Sequence, residues 1–376
     1  MNPGDPLIDN EQGETAFRPV ELIEAGEHYQ IARAVDEENE RQVAVRAIVY
    51  DDDATDEYIA RRRASLSRQW ELMEVLAETR VTPEPIAYLE LPESPVERPP
   101  EPVLVCELID GPTLYDWVVD HYPEGLDPEG ALAILADLTD WLTEVHAEKW
   151  LCRDFDPRRF RVEGADSEGQ QIRVRRVSLH NASKWKEPLD KEQLAANHAY
   201  VAPEIRDEVS GKLQRPAADL YGLGALLSFL LTGEEPRHRV ESPLSFDAYE
   251  RVQSYELPGL EILLARLLQP LAKNRLSRAQ LLRPYCSMDG LPTREERGFE
   301  MSMLPAPWLG VEIDDPETNR ALRSKLSAGP LVSVAQDKEV EAEESSEEEL
   351  EQEFNWPFLI VLVLITAIVV AMALLF

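Results

Sequence analysis

Nineteen uncharged residues in a row, Phe358–Phe376 (FLIVLVLITAIVVAMALLF), constrain this chain more than any other feature. A helix rises about 1.5 Å per residue, so a run of this length can span the hydrocarbon core of a bilayer. It is apolar on every side and has no polar face to show water. Trp356 suits the membrane interface and Pro357 a first helical position. The sequence predicts a single C-terminal transmembrane helix over 356–376, a tail anchor crossing once. Just before it, 337–353 (DKEVEAEESSEEELEQE) holds ten acids and one Lys, a net charge of −9. Like charges at this density repel one another, so 337–355 is expected to be a disordered acidic tether. The last basic residue is Lys338, which leaves no charge bias to orient the span. The polar start MNPGDPLIDNEQGE lacks an apolar signal-like run. With the sparse cysteines, this gives the expectation of a membrane protein whose N-terminal domain is cytoplasmic.

Charge excludes several function classes. The 376 residues carry 38 Lys+Arg against 72 Asp+Glu, a net −34. Neutralising phosphates needs a basic face, so no nucleic-acid partner is expected, and adsorption to an anionic lipid surface is disfavoured. Cys106, Cys152 and Cys286 form no C-x-x-C pair and the six histidines no H-E-x-x-H, so no metal site is expected. A hydrophobic content of 44% supplies a core for two or three domains or one larger two-lobed fold.

The body runs over 17–287. Strand-like runs (QVAVRAIVY, PVLVCEL) come first and helical periods later. Over Ala131–Val145, the residues Ile134, Leu135, Leu138, Trp141, Leu142 and Val145 share one helical face. Residues 91–102 (LPESPVERPPEP) read as a loop between strands. Six segments carry recognisable patterns: Val43-Ala44-Val45-Arg46; VLVCELIDGPTL at 103–114; EVHAEKWLCRDFDPRRF at 144–160; Ala202-Pro203-Glu204; ADLYGLGALLSFLLTGEEP at 218–236; and LLARLLQPLAKNRLSRAQLL at 263–282. In this order and spacing they resemble the Ser/Thr protein-kinase superfamily, most closely bacterial Ser/Thr kinase-like proteins. The resemblance covers about 270 residues. It implies an α+β, two-lobed protein-kinase-like fold with a small lobe at about 17–108 and a large lobe at about 109–287. A disordered segment 1–16 precedes it, and a linker with local structure, 288–336, follows it.

The same resemblance assigns expected roles. Phosphoryl transfer needs phosphates held, metal bound and a hydroxyl oriented. The phosphate-covering loop falls on 25–32, where Gly26 is the one glycine and Glu27 would repel a triphosphate. Arg46 stands where the kinase lysine belongs, and Glu71, on a helix predicted over 56–76, is its expected ion-pair partner. Asp154 stands at the base position, with Arg153 before it. Arg159 takes the place of the metal-binding Asn, and Ser178-Leu179-His180 the place of D-F-G, so both carboxylate or amide ligands that Mg²⁺ wants are missing. Cys106 occupies the position that gates the adenine pocket. The residues that hold the fold are present: Glu204 with Arg275 as an ion pair, and Asp219 as anchor of the catalytic loop. Between Ser178 and Ala202 the other hydroxyls are Ser183 and Tyr200, so a phosphorylation switch in that segment is not expected.

The resulting expectation is a membrane-anchored pseudokinase acting as a binding, scaffold or regulatory module for a protein partner, with Asp154 vestigial. No cofactor is expected, although ATP without Mg²⁺ is compatible with the small Cys106. Two alternatives stay open. One is a divergent Ser/Thr kinase using Asp154 as base, with Arg46, Arg158 and Arg159 in place of metal. The other is a metal-independent ATP sensor.

Overall fold

The computed structural model describes residues 7–8, 15–25, 29–50, 54–79, 81–91, 101–164, 172–185, 187, 198–206, 215–237, 244–293 and 296. Among these, no helix is long and apolar enough to cross a membrane. The expected span and tether at 337–376, nearly all of the expected linker 288–336 and most of the segment 1–16 lie outside the described residues.

The small lobe is a six-stranded sheet in the order β1-β2-β3-β4-β6-β5. Its strands are β1 (Leu7–Ile8), β2 (Thr15–Ala25), β3 (Tyr29–Asp36), β4 (Arg41–Ile48), β5 (Pro85–Leu91) and β6 (Glu101–Glu107), all paired antiparallel. One helix, α1 (Asp56–Val75), connects β4 to β5 and is capped by Thr55, whose hydroxyl accepts from Tyr58 N at 3.2 Å. Strand side chains alternate between faces, and β4 uses this fully. Val43, Val45 and Ala47 join Phe17, Ala34, Val103 and Val105 in an outer core. The opposite face carries Ala44 and Arg46, registered against Cys106 and Leu104. A slip of one residue would bury Arg46 in that outer core.

The large lobe begins at a tight connection. Gly111 has φ +130, and a Cβ there would sit 2.2 Å from the Val162 carbonyl oxygen, so only glycine fits. Next come α2 (Leu114–His121), α3 (Pro128–Ala147), β7 (Trp150–Leu151), β8 (Phe160–Glu163), β9 (Arg173–Arg176), β10 (Ser183–Lys184), α4 (Pro203–Arg206), α5 (Pro216–Thr232), α6 (Phe246–Ser254), α7 (Pro258–Leu267) and α8 (Ala279–Leu282). The predicted apolar face of α3 is the buried one, and Asp127 caps the helix by accepting from Gly130 N at 2.7 Å. The central α5 has all seventeen residues buried and packs on α3, α6 and α7. Its six leucines are each at most 1% exposed, worth about 1.5–3 kcal/mol apiece. Close approach at its middle requires Gly222, where a Cβ would lie 2.5 Å from the Phe155 ring. Packing continues past residue 287: Leu291 lies against the core, and Tyr285 Oη donates to Glu296 Oε1 at 2.7 Å.

Candidate functional site

The deep wall between the lobes is built on one buried carboxylate. Asp219, in the first turn of α5, accepts from Cys152 N (2.8 Å), Arg153 N (2.6 Å) and His146 Nε2 (3.0 Å). These bonds hold the 152–159 loop in a shape that puts Arg153 at φ +61, a conformation costly for a side chain with a Cβ. Arg153 points inward and donates to Glu187 O at 3.1 Å, and burial pulls its guanidinium down to about 10. At the lobe's far side, Arg275 grips Glu204 bidentately with two 2.7 Å contacts and also donates to the carbonyls of Ala217, Gln269 and Pro270.

Asp154 is 5% exposed and already engaged. One oxygen accepts from Asp156 N at 3.0 Å, the other from Asn181 Nδ2 at 3.1 Å, and Arg159 Nε stands 3.7 Å away. Asn181 has no marker in the sequence; only its packing reveals it. Arg158 lies over the Tyr115 ring at 3.7 Å and is tied to Asp156 (3.3 Å) and Glu235. Ser178 Oγ is hydrogen-bonded to His180 Nδ1 at 2.8 Å.

The structure corrects one expected pair. Arg46 does not meet Glu71; it donates to Gln69 Oε1 and, at 2.7 Å, to the Val177 carbonyl. Glu71 is exposed and pairs with Lys184 of the large lobe. The reason is helical phase: residues two apart on α1 point about 200° apart. Gln69 shares the buried stripe of Ser65, Leu66, Leu72 and Met73, which turns Glu71 outward.

The mouth of the cleft is closed by side chains. Tyr29, at the start of β3, accepts from Arg159 Nη1 at 2.6 Å and donates to Glu24 Oε1 at 3.1 Å. The Arg46 guanidinium lies 5.4 Å from its ring centre, and the His180 ring 6.3 Å. Residues 26–28, the middle of the expected phosphate loop, lie outside the described residues. Between β3, β4 and the connection to the large lobe, a cavity of about 190 Å³ is lined by residues that include Ile31, Ala44, Arg46, Cys106, Ile109 and Val177. Small-molecule sites usually offer about 300–1,000 Å³. Burial pushes the Cys106 thiol up to about 11, so it is a neutral wall. An open depression of about 730 Å³ in front mixes Glu24, Asp116, Asp156 and Glu235 with Arg158, Arg159 and Arg161. Ser183 and Tyr200, the hydroxyls of the 178–202 segment, are both buried.

No protein-family model matches the chain. It is 28% identical over 206 residues to the serine/threonine-protein kinase PknB of Mycobacterium leprae, a match covering 53% of this chain and 31% of that protein. The chain is protein-kinase-like. The kinase-like chain is also 30% identical over 133 residues to the serine/threonine-protein kinase PkaA of Streptomyces coelicolor, covering 35% of the chain and 23% of the relative. Against Aurora kinase C of Mus musculus it is 28% identical over 187 residues, with 48% and 62% covered. It thus spans less than two thirds of each of these proteins.

Kinase chemistry implies Mg²⁺, and the kinase-like cleft does not fit it. A hard divalent cation wants several carboxylate, carbonyl or water oxygens. Here the two expected ligand positions present a guanidinium, Arg159, and a hydroxyl, Ser178, already bonded to His180. The remaining carboxylate, Asp154, is shared between Asn181 and Arg159.

His180 reports on the same crowding of cations. Burial, then Arg159, Arg46, Arg176 and Arg62, hold its pKa well below the usual 6.5, although the Asp154 carboxylate is 4.0 Å from Nε2. Folded His180 therefore stays neutral while the unfolded chain takes up a proton below pH 6.5. Stability contributed by the neutral ring is full above that pH and is lost as pH falls, by at most about 1.4 kcal/mol per unit. His180→Gln is expected to remove this component. Unfolding free energies of both proteins from urea titrations at pH 7.5 and 5.5 should converge by about 1 kcal/mol at the lower pH, and a pH-independent difference would refute it.

Proposed function

We propose that this chain is a pseudokinase: a kinase-fold binding module that docks a protein partner and transfers no phosphate. The observation that carries the reading is Arg159. Its guanidinium stands where metal and phosphate would have to meet, and it is committed to Tyr29 and Asp154. A cation there repels Mg²⁺, and both oxygens of Asp154 are already engaged, by Asn181 and by the Asp156 amide. The intact Glu204–Arg275 and Asp219 supports hold the kinase-like shape while the metal-ligand positions are replaced, which favours a binding role over a phosphoryl-transfer role. The uncharged run at 358–376 supports a membrane anchor joined to the kinase-like body by the acidic tether, and the polar start with sparse cysteines supports a cytoplasmic body. Such tethering raises the effective concentration at a membrane-bound partner without any new contact.

The test is ligand-induced stabilisation of the full chain in detergent micelles. A ligand at a hundred times its dissociation constant stabilises its host by about 2.7 kcal/mol. ATP at millimolar concentration, alone or with Mg²⁺ or Mn²⁺, is expected to leave Tm unchanged. A metal-dependent rise in Tm, with ADP formation lost in Asp154→Ala, would overturn the proposal in favour of a divergent kinase. A rise with ATP alone would favour a nucleotide sensor.

A further inference from the structure

Strands β2 and β3 roof the cleft; among the described residues β3 is tied to the connection between the lobes by Arg33, whose Nη2 donates to Asp110 Oδ1 at 3.0 Å, and to the cleft floor by Tyr29. Tyr29 hangs from the first position of β3. Its hydroxyl is fully used: it donates to Glu24 Oε1 on β2 at 3.1 Å and accepts from Arg159 Nη1 at 2.6 Å. Arg159 belongs to the large lobe, one residue before β8, and its Nε stands 3.7 Å from Asp154 Oδ2. A continuous polar chain, Glu24–Tyr29–Arg159–Asp154, therefore joins roof to catalytic loop. The ring is held from two further sides, by the Arg46 guanidinium and by His180. The neutral Tyr29 hydroxyl bridges the Glu24 carboxylate and the Arg159 guanidinium, so each hydrogen bond polarises the other.

We propose that Tyr29 is a latch that holds β2 and β3 against the large lobe without any ligand. The other crossings described lie deeper or nearer the hinge: Ser65 Oγ donates to the His180 carbonyl at 3.1 Å, and Arg175 Nη2 to Glu107 Oε2 at 2.6 Å. Neither touches β2 or β3; Arg33 of β3 reaches Asp110 in the connection between the lobes, not the 152–159 loop that Tyr29 reaches through Arg159. Two coupled hydrogen bonds, one of them to a charged donor, set the scale of the latch. Opening the roof without opening the core is the kind of local event that hydrogen exchange resolves.

The experiment compares amide exchange of the full chain in micelles for wild type, Tyr29→Phe, Tyr29→Ala and Arg159→Gln. Tyr29→Ala is expected to raise exchange in the 29–36 strand by about tenfold, while α5 keeps its wild-type protection. Tyr29→Phe, which removes both hydroxyl bonds, and Arg159→Gln, which removes the bond from Arg159, should each give a smaller rise, and the Tyr29→Phe/Arg159→Gln double variant no more than Tyr29→Phe alone, because the Tyr29–Arg159 bond is already gone in that single variant. Unchanged exchange at 29–36 in Tyr29→Ala would overturn the latch. So would a rise spread evenly over both lobes, which marks global destabilisation. The measurement uses no nucleotide, so its failure and the failure of the pseudokinase reading are separate outcomes.

Discussion

Arg275→Met is expected to lower the unfolding free energy of the kinase-like body by about 3–5 kcal/mol, the cost of breaking a buried ion pair by deleting one partner. The Arg275 side chain is 0% exposed, and all three of its nitrogens are used: Nη1 donates to Glu204 and the Ala217 carbonyl, Nη2 to Glu204 and the Pro270 carbonyl, and Nε to the Gln269 carbonyl. Methionine fills similar volume but leaves a carboxylate and three carbonyls to find new partners. Glu204→Gln should cost less, about 1–2 kcal/mol, because the guanidinium keeps its carbonyls and an amide oxygen. Urea unfolding followed by circular dichroism distinguishes the two. Equal losses for both variants would mean that the carboxylate, and not the carbonyl cradle, is the main support.

The second large effect is expected at Asp219. Asp219→Ala strands the amides of Cys152 and Arg153 and one nitrogen of His146, all buried. At about 1–3 kcal/mol for each orphaned group, the loss should reach about 3–5 kcal/mol. Arg153 adds a specific signature, since its positive φ is held by the bond to Asp219. With that bond gone the loop can relax, so exchange at 152–159 should rise further than exchange in α3. Asp219→Asn keeps one acceptor oxygen and should fall between Ala and wild type. A uniform rise across the lobe in Asp219→Ala would show that the carboxylate supports the lobe as a whole and not the loop.

Much of this site was legible in the sequence because its parts are local or occupy fixed offsets. The Val43–Arg46 alternation, the apolar face of Ala131–Val145 and the leucine-rich run after Asp219 each follow from period and side-chain type. Arg159 and Ser178 could be flagged because the resemblance fixes where metal ligands belong. The pairing of Arg46 could not be found by choosing the nearest acid. The phase of α1, readable from Leu66, Leu72 and Met73, points to Gln69, yet an uncharged amide is not an obvious partner for arginine. Tyr29 was illegible for another reason. A tyrosine at a strand start is ordinary, and its role arises only when Arg159, 130 residues later, is folded beneath it. Asn181 on Asp154 is the same kind of long-range fact.

The buried helix α5 sets a problem of order in time. Its residues 216–232 leave the ribosome before α6 and α7 exist, yet those two helices cover it. Thirty-five residues separate Thr232 from Leu267. At about 5–20 residues per second, roughly 2–7 s pass with a leucine-rich cylinder only partly covered. During that interval α5 is the segment of the described body most exposed to off-pathway association, and chaperone occupancy during synthesis should concentrate there.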